Sequence, residues 1–300
     1  MEIVTLIDLF TALKGKPVKR LVAVNAIDDH TLDAVNQAVE NGFVEATLTG
    51  DRETILQTCA KLGIDSGKFI IESAATEDAA ALKAVELVAE GKGDLMMKGL
   101  LSTDKFMRAI LNKEYKLVPP GGVLSHVTVV ETPKYHKLLV VSDVAIIPYP
   151  DLNQKIVMVR YLIQTAKALG IALPKVALVA ATEQVLTAIP ACTDAAVISK
   201  MAERGQLGKA LVDGPLGFDV AIDRESAEIK KISSSVAGDA DCLLFPNIDA
   251  GNVFYKMNTK MCRSEQAAIV AGAKVPVVLS SRGDTMQTKL YSIALAALLG

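Results

Sequence analysis

Short runs of β-branched and aliphatic residues alternate along the chain with longer stretches in which apolar positions recur every three or four residues. Such alternation marks βαβ units built around a mainly parallel sheet. The pattern predicts strands over 20–26, 44–49, 69–72 and 94–98, with helices over 29–41, 51–62, 76–91 and 102–113 between and after them. Leu32, Val35 and Val39 give one of these helices an apolar face, and Ala80, Ala84, Leu87 and Val88 do the same for another.

The rhythm breaks at Val118-Pro-Pro-Gly-Gly122, a run that can continue neither a helix nor a central strand. Beyond it, strands over 125–131 and 138–142 stand close enough to pair directly. A helix over 152–169, a strand over 175–181 and a helix over 194–204 follow, and a short strand is expected over 242–245. A last strand over 275–280 and a last helix over 284–299 resume the first type of pattern. The expected organisation is therefore two α/β domains, the first discontinuous over 1–120 and 270–300, the second over 121–269. A chain of 300 residues has room for two cores.

Composition narrows the picture. Apolar residues make up 51% of the chain and aromatic ones 4%, so Ala, Val, Leu, Ile and Met must fill the interior, as suits helix-covered parallel sheets. With 32 basic and 34 acidic side chains and no long block of one sign, a nucleic-acid partner is not expected. No apolar stretch reaches the roughly 18 residues of a membrane span, and no basic segment opens the chain, so a cytoplasmic location is expected, away from membranes. Cys59, Cys192, Cys242 and Cys262 form no C-x-x-C pair and read as small buried hydrophobes. The mean hydropathy of +0.34 points to apolar surface shared between subunits, hence a homo-oligomer, a dimer or a multiple of dimers.

Ligands of open parallel sheets collect beyond the C-terminal strand ends, where helix N-termini attract anions. Four strand-to-helix segments carry chemistry. In the first, Lys98-Gly99 precedes Ser102 and Thr103, either of which can cap a helix carrying Arg108; Asp104 and Arg108 also have the spacing of an ordinary surface pair. In the second, Ser280-Ser281-Arg282-Gly283-Asp284 follows a buried strand. Its arginine can grip a tetrahedral oxyanion by two parallel hydrogen bonds, although Asp284 with Gln287 also reads as a plain capping box. In the third, Asn247-Ile-Asp249-Ala-Gly251-Asn252 opens a helix that Asp249 would cap, with Gly251 admitting a ligand to the backbone. In the fourth, Asp213-Gly214-Pro215-Leu216-Gly217-Phe218-Asp219 ends a strand on a Gly-Pro turn. Asp219 and Asp223 have the spacing of a metal pair, or of two solvated acids. No P-loop, G-x-G-x-x-G, H-E-x-x-H or G-x-S-x-G motif is present.

Taken together, in this order and over nearly the whole chain, these segments resemble the phosphate acetyltransferase and phosphate butyryltransferase family. Met97-Lys98-Gly99-Leu100-Leu101-Ser102-Thr103-Asp104-Lys105-Phe106 resembles the butyryltransferase branch; Asp213-Gly214-Pro215-Leu216 with Phe218-Asp219, and 247–256, resemble segments found across the family. The resemblance implies a fold like that of isocitrate and isopropylmalate dehydrogenases, with two α/β lobes around a cleft and subunits associating through the second lobe. It implies coenzyme A and phosphate as substrates, with no permanently bound cofactor and no metal. It further implies that Arg282 and Ser281 bind phosphoryl oxygens and support the transition state, joined by Arg108. Lys98, Ser102, Thr103, Ser280, Gly283, Asp213, Gly214, Asp249, Gly251 and Asn252 are then expected to line the substrates. One departure stands out: family acetyltransferases place an aspartate six residues after the arginine as base for the thiol, where this chain has Thr288, leaving Asp284 as the nearest carboxylate. The competing readings are a metal-dependent decarboxylating dehydrogenase-like enzyme of the same fold, with Asp219 and Asp223 as ligands, and an acyl-CoA or anion binder without turnover.

Overall fold

The computed structural model describes residues 2–279 and 284–300. The chain divides into two compact units: Leu6–Leu124 with Ala267–Gly300, and Ser125–Gln266 with the first residues up to Thr5.

In the first unit α1 (Asp8–Leu13) precedes β1 (Lys19–Val24), α2 (Asp29–Glu40), β2 (Val44–Gly50), α3 (Arg52–Leu62), β3 (Phe69–Ser73), α4 (Glu77–Ala89), β4 (Leu95–Lys98) and α5 (Thr103–Ile110). β3, β2, β1 and β4 lie side by side and parallel. The helices start where side chains can accept from otherwise unpaired N–H groups: Asp28, Asp51 and Thr76 cap α2, α3 and α4. Gly63 ends α3 at φ 68°, a left-handed turn that costs glycine nothing. Leu21, Val22, Ala23 and Val24 are wholly buried, because helices cover both faces of β1. Each such Val or Leu contributes about 1.5–3 kcal/mol by leaving water.

The second unit holds β5 (Ser125–Glu131), β6 (Leu139–Ser142), α6 (Leu152–Ala168), β7 (Lys175–Val179), α7 (Pro190–Glu203), β8 (Leu211–Leu216), α8 (Phe218–Ile222), α9 (Arg224–Ile229), β9 (Cys242–Leu244) and α10 (Ile248–Met261). The antiparallel pair β5–β6 adjoins a parallel run ordered β6, β9, β7, β8. Phe245 and Phe254, with ring centroids 5.1 Å apart, are among the few rings in a core otherwise made of Val, Leu and Ala.

β10 (Glu265–Ala271) carries the chain back to the first unit, where β11 (Val277–Val278) runs antiparallel to β10 and parallel to β4, and α11 (Met286–Leu299) closes the sequence. Three expectations need correction. α7 begins at Pro190, ahead of the 194 expected, because proline suits the first helical position. β8 runs through Gly214-Pro215 to Leu216 and does not end there. The residues up to Thr5 pack with the second unit. No described helix is long and apolar enough to cross a membrane.

Candidate active site

In the first unit β1, β4 and β11 are parallel neighbours, and from their C-terminal ends the chain runs on to α2, α5 and α11. This is the side of a parallel sheet where helix N-termini favour anions. The ends of β1 and β4 are joined directly: Gly99 N donates to Val24 O at 2.8 Å, Leu100 N to Asn25 O at 3.0 Å, and the Asn25 side-chain amide to Leu100 O. Asn25 itself turns at φ 49°. A Cβ on Gly99 would stand 2.6 Å from the carbonyl oxygens of both Val24 and Asn25, so only glycine allows this approach. Thr49 draws in the end of β2, accepting from Asn25 N at 3.3 Å and donating to Ala80 O at 2.9 Å.

Ser102 is the residue that caps α5, accepting from Lys105 N at 3.2 Å, and Thr103 is left exposed in the first turn. Lys98 is buried, its ammonium donating to Gly99 O at 3.2 Å. Lys105 turns away to Glu77 and Asp78 at 3.0 and 3.4 Å. Arg108 is exposed and pairs with Asp104, the ordinary i,i+4 arrangement. Ion pairs in that setting are worth little, so the Arg108–Asp104 pair adds little to stability.

Ser280, Ser281, Arg282 and Gly283 lie outside the described residues. Just beyond them the cap of α11 is Thr285, accepting from Thr288 N at 3.1 Å, which corrects the expectation of Asp284 as cap and leaves that carboxylate outside the capping role. Thr288 is buried, with its hydroxyl 3.0 Å from that of Thr285. The next residue, Lys289, is buried as well and reaches Thr31 Oγ1 at 3.3 Å and Asp28 at 3.9 Å, at the start of α2. Sequence reasoning missed both Asn25 and Lys289. The only signals were an asparagine at a strand end and a lysine on the apolar face of a helix.

In the second unit the segment after β6 is organised by Asp143, which is 1% exposed. Its carboxylate accepts from Ser125 Oγ, His126 N, Ala145 N and Ile146 N at 2.7–2.9 Å. Gly251 packs on the Asp143 carbonyl so closely that a Cβ would lie 2.1 Å away, and Asn252 donates to Val144 O at 2.9 Å. Both residues therefore hold this loop. Asn247 caps α10, accepting from Ala250 N, and not Asp249 as expected; Asp249 is exposed and accepts from the Tyr149 hydroxyl at 3.3 Å. Asp213 accepts from Gly214 N at 2.8 Å, while Gly214 sits where a Cβ would meet the Leu178 side chain at 2.6 Å.

Asp219 and Asp223, whose spacing fitted either a metal pair or two solvated acids, have separate partners. Asp223 caps α9 through Ser226 N at 2.8 Å, and Asp219 pairs with Lys230, which also holds Glu183. Hydrogen bonding from Lys230 keeps the Asp219 carboxyl below its usual range. Among the described residues no cluster of three metal-binding side chains exists.

A family model described as phosphate acetyl/butaryl transferase matches residues 70–297. The chain belongs to that family. The phosphate butyryltransferase of Clostridium acetobutylicum is 44% identical over 292 residues, 97% of each chain. The phosphate acetyltransferase of Thermotoga maritima is 38% identical over 279 residues, 93% of this chain and 94% of its own. Among solved structures, the branched-chain phosphotransacylase of Enterococcus faecalis has a TM-score of 0.82 at 28% identity, covering 94% of this chain and 99% of that one. A 4-hydroxythreonine-4-phosphate dehydrogenase from Klebsiella pneumoniae shares the fold alone, at a TM-score of 0.51 and 12% identity. The phosphate acetyl/butaryl transferase match spans all four segments singled out in the sequence, from Lys98 through Asp213 and Asn247 to Asp284.

Proposed function

We propose that this protein transfers a short-chain acyl group reversibly between coenzyme A and inorganic phosphate, with butyryl favoured over acetyl. The observation that carries the reading is the end-to-end likeness to a phosphate butyryltransferase. The geometry supports it, because the first unit aims three parallel strand ends and the helices α2, α5 and α11 at one side, the arrangement that suits a phosphate.

In this reading a phosphate oxygen attacks the thioester carbonyl. The new C–O bond produces a tetrahedral oxyanion, which collapses with breakage of the C–S bond and departure of coenzyme A as thiolate. Arg282 and Arg108 bind the phosphoryl oxygens, and Ser281 donates to the oxyanion or the departing sulfur. Preorganised donors of this kind are the largest single catalytic contribution in many enzymes. Lys98, Ser102, Thr103, Ser280 and Gly283 line the phosphate side; Asp213, Gly214, Asp249, Gly251 and Asn252 belong to the coenzyme A side. In the reverse direction Asp284 takes the thiol proton, since the residue six beyond Arg282 is a buried threonine. Neither a permanent cofactor nor a metal enters these steps, and the setting is the cytoplasm.

The test follows free thiol release from butyryl-CoA and acetyl-CoA, with and without phosphate. Phosphate-dependent release that is faster with butyryl-CoA is expected. Arg282→Ala should lower kcat by about 10²–10³-fold, and Asp284→Asn, assayed in the reverse direction as consumption of coenzyme A thiol with butyryl phosphate, should flatten the acid limb of the pH profile. Release without phosphate would mean a hydrolase, and absence of release a binding protein.

A further inference from the structure

One pocket of the second unit is lined by none of the residues assigned above to the substrates; of those given a structural role above it takes in only Tyr149, Pro190 and Asn247. It lies beyond the C-terminal ends of β7 and β9, has a volume of about 630 Å³, and is walled by Pro150, Ala181, Ile189, Pro190 and Pro246 together with the exposed ring of Tyr149. Its polar lining comprises Lys155, on α6, and Asp194, on α7, with Asp151 and Asn247, whose side chains cap α6 and α10. Lys155 is 6% exposed, and its ammonium donates to Asp194 Oδ2 at 2.7 Å and to no other described group. An ammonium has three donors. Two of them are therefore left for whatever occupies the pocket, in a place where unmet donors are costly.

The charge balance narrows the occupant. Lys155 and Asp194 cancel and Asp151 adds a negative charge, so the lining does not attract a phosphate or carboxylate as a lone lysine would. It presents a donor beside an acceptor, framed by apolar walls. Such a site suits a flat, neutral heterocycle with an acceptor nitrogen next to an amino group. Adenine carries that edge, its N6 amino group beside a ring nitrogen, and its faces suit proline, isoleucine and tyrosine. The alternating donor and acceptor also explain why an ion pair, and not two apolar residues, is kept in a buried place where pairs of this kind contribute little stability.

We propose that this pocket holds the adenine ring of coenzyme A, with N6 donating to Asp194 and a ring nitrogen accepting from Lys155. The assignment rests on the acyl-transfer reading and names the part of the substrate that the second unit recognises.

The experiment compares butyryl-CoA with butyryl-pantetheine, which lacks the nucleotide, and measures binding of adenosine 3′,5′-bisphosphate by calorimetry. Lys155→Met probes the polar contact. Ala181→Trp fills the pocket from an exposed position, so it reads the site even if the buried substitution unfolds the protein. Both variants are expected to raise KM for butyryl-CoA at least tenfold relative to KM for butyryl-pantetheine, and to weaken bisphosphate binding by a similar factor. Equal effects on both thioesters would overturn the proposal and place the pantetheine arm there, or a merely structural role. An unchanged ratio with Ala181→Trp would overturn it too. If the wild type binds the bisphosphate but transfers no acyl group, the pocket stands and the reaction assignment fails.

Discussion

At the scale of single residues, the sites that matter most here are those where a side chain is absent or buried against expectation. Gly99 and Gly251 each sit against backbone carbonyls, at would-be Cβ distances of 2.6 and 2.1 Å. Neither contact can be relieved by rotating a side chain, because the atoms in the way are main chain. Gly99→Ala and Gly251→Ala should each cost about 1–3 kcal/mol in urea unfolding, the range for overpacked sites. They should also lower activity beyond their effect on the folded fraction, since the first moves Lys98 and the second moves the Asp143 loop. Wild-type stability and kcat in both variants would sink this account. Glycines after strand ends could be read from the sequence, but their purpose could not. Gly251 also admits the carbonyl of Asp143, a residue 108 positions earlier that no local pattern connects to it.

At the scale of elements, the parallel strands of the second unit are tied at their N-terminal ends by charge. Asp239 accepts from Lys175, at the start of β7, and from Lys137, just before β6, with His136 at 2.9 Å; Asp241, just before β9, accepts from Lys175 N and pairs with Lys137. Burial pushes the Asp239 carboxyl upward, but the hydrogen bonds from Lys175 and Lys137 outweigh it and hold the group well below the usual carboxylate range. A depressed folded pKa means that the stabilisation is complete above the unfolded value of about 3.9 and is lost as pH falls below it. Asp239→Asn should therefore cost about 1.5–3 kcal/mol at pH 7, with the gap to wild type narrowing below about pH 4. A gap of the same size at pH 7 and pH 3 would show that charge is not the cause.

Most elements were legible because hydrophobic period and capping residues agree, as at Asp28, Asp51, Thr76 and Ser102. The misses have local reasons. α1 has only six residues, too few for a helical period to register, and β10 opens on Glu-Gln-Ala-Ala, a run without β-branched residues. In the candidate site, strand-end positions such as Lys98 and Asp249 could be found from their place beside turns. Lys155 and Asp194 could not, being 39 residues apart and each in the body of an amphipathic helix.

At the scale of the whole molecule, the sequence pointed to more apolar surface than one chain needs. The structure offers a concrete instance: Val253, Met257 and Met261, spaced i, i+4, i+8 on α10, are 67%, 38% and 80% exposed. We propose that a second copy of this chain covers such surface, giving a dimer or a multiple of dimers. Light scattering should report a mass at least twice the 31.8 kDa of one chain, and Val253→Lys with Met261→Lys should reduce it. A wild-type protein that runs as a single chain at micromolar concentration would refute the proposal.

The placement of β11 also bears on how the polypeptide leaves the ribosome. Through Val277 and Val278 it covers one flank of β4, whose other flank already belongs to β1. A nascent chain that has emerged only as far as residue 266 therefore carries a bare, strongly apolar strand rim, Leu95-Met96-Met97, of the kind that invites pairing with a neighbour. Completion of the earliest-made segment waits on the latest-made one. Truncation ahead of residue 277, which removes β11, is then expected to do its harm almost two hundred residues upstream, as aggregation during synthesis.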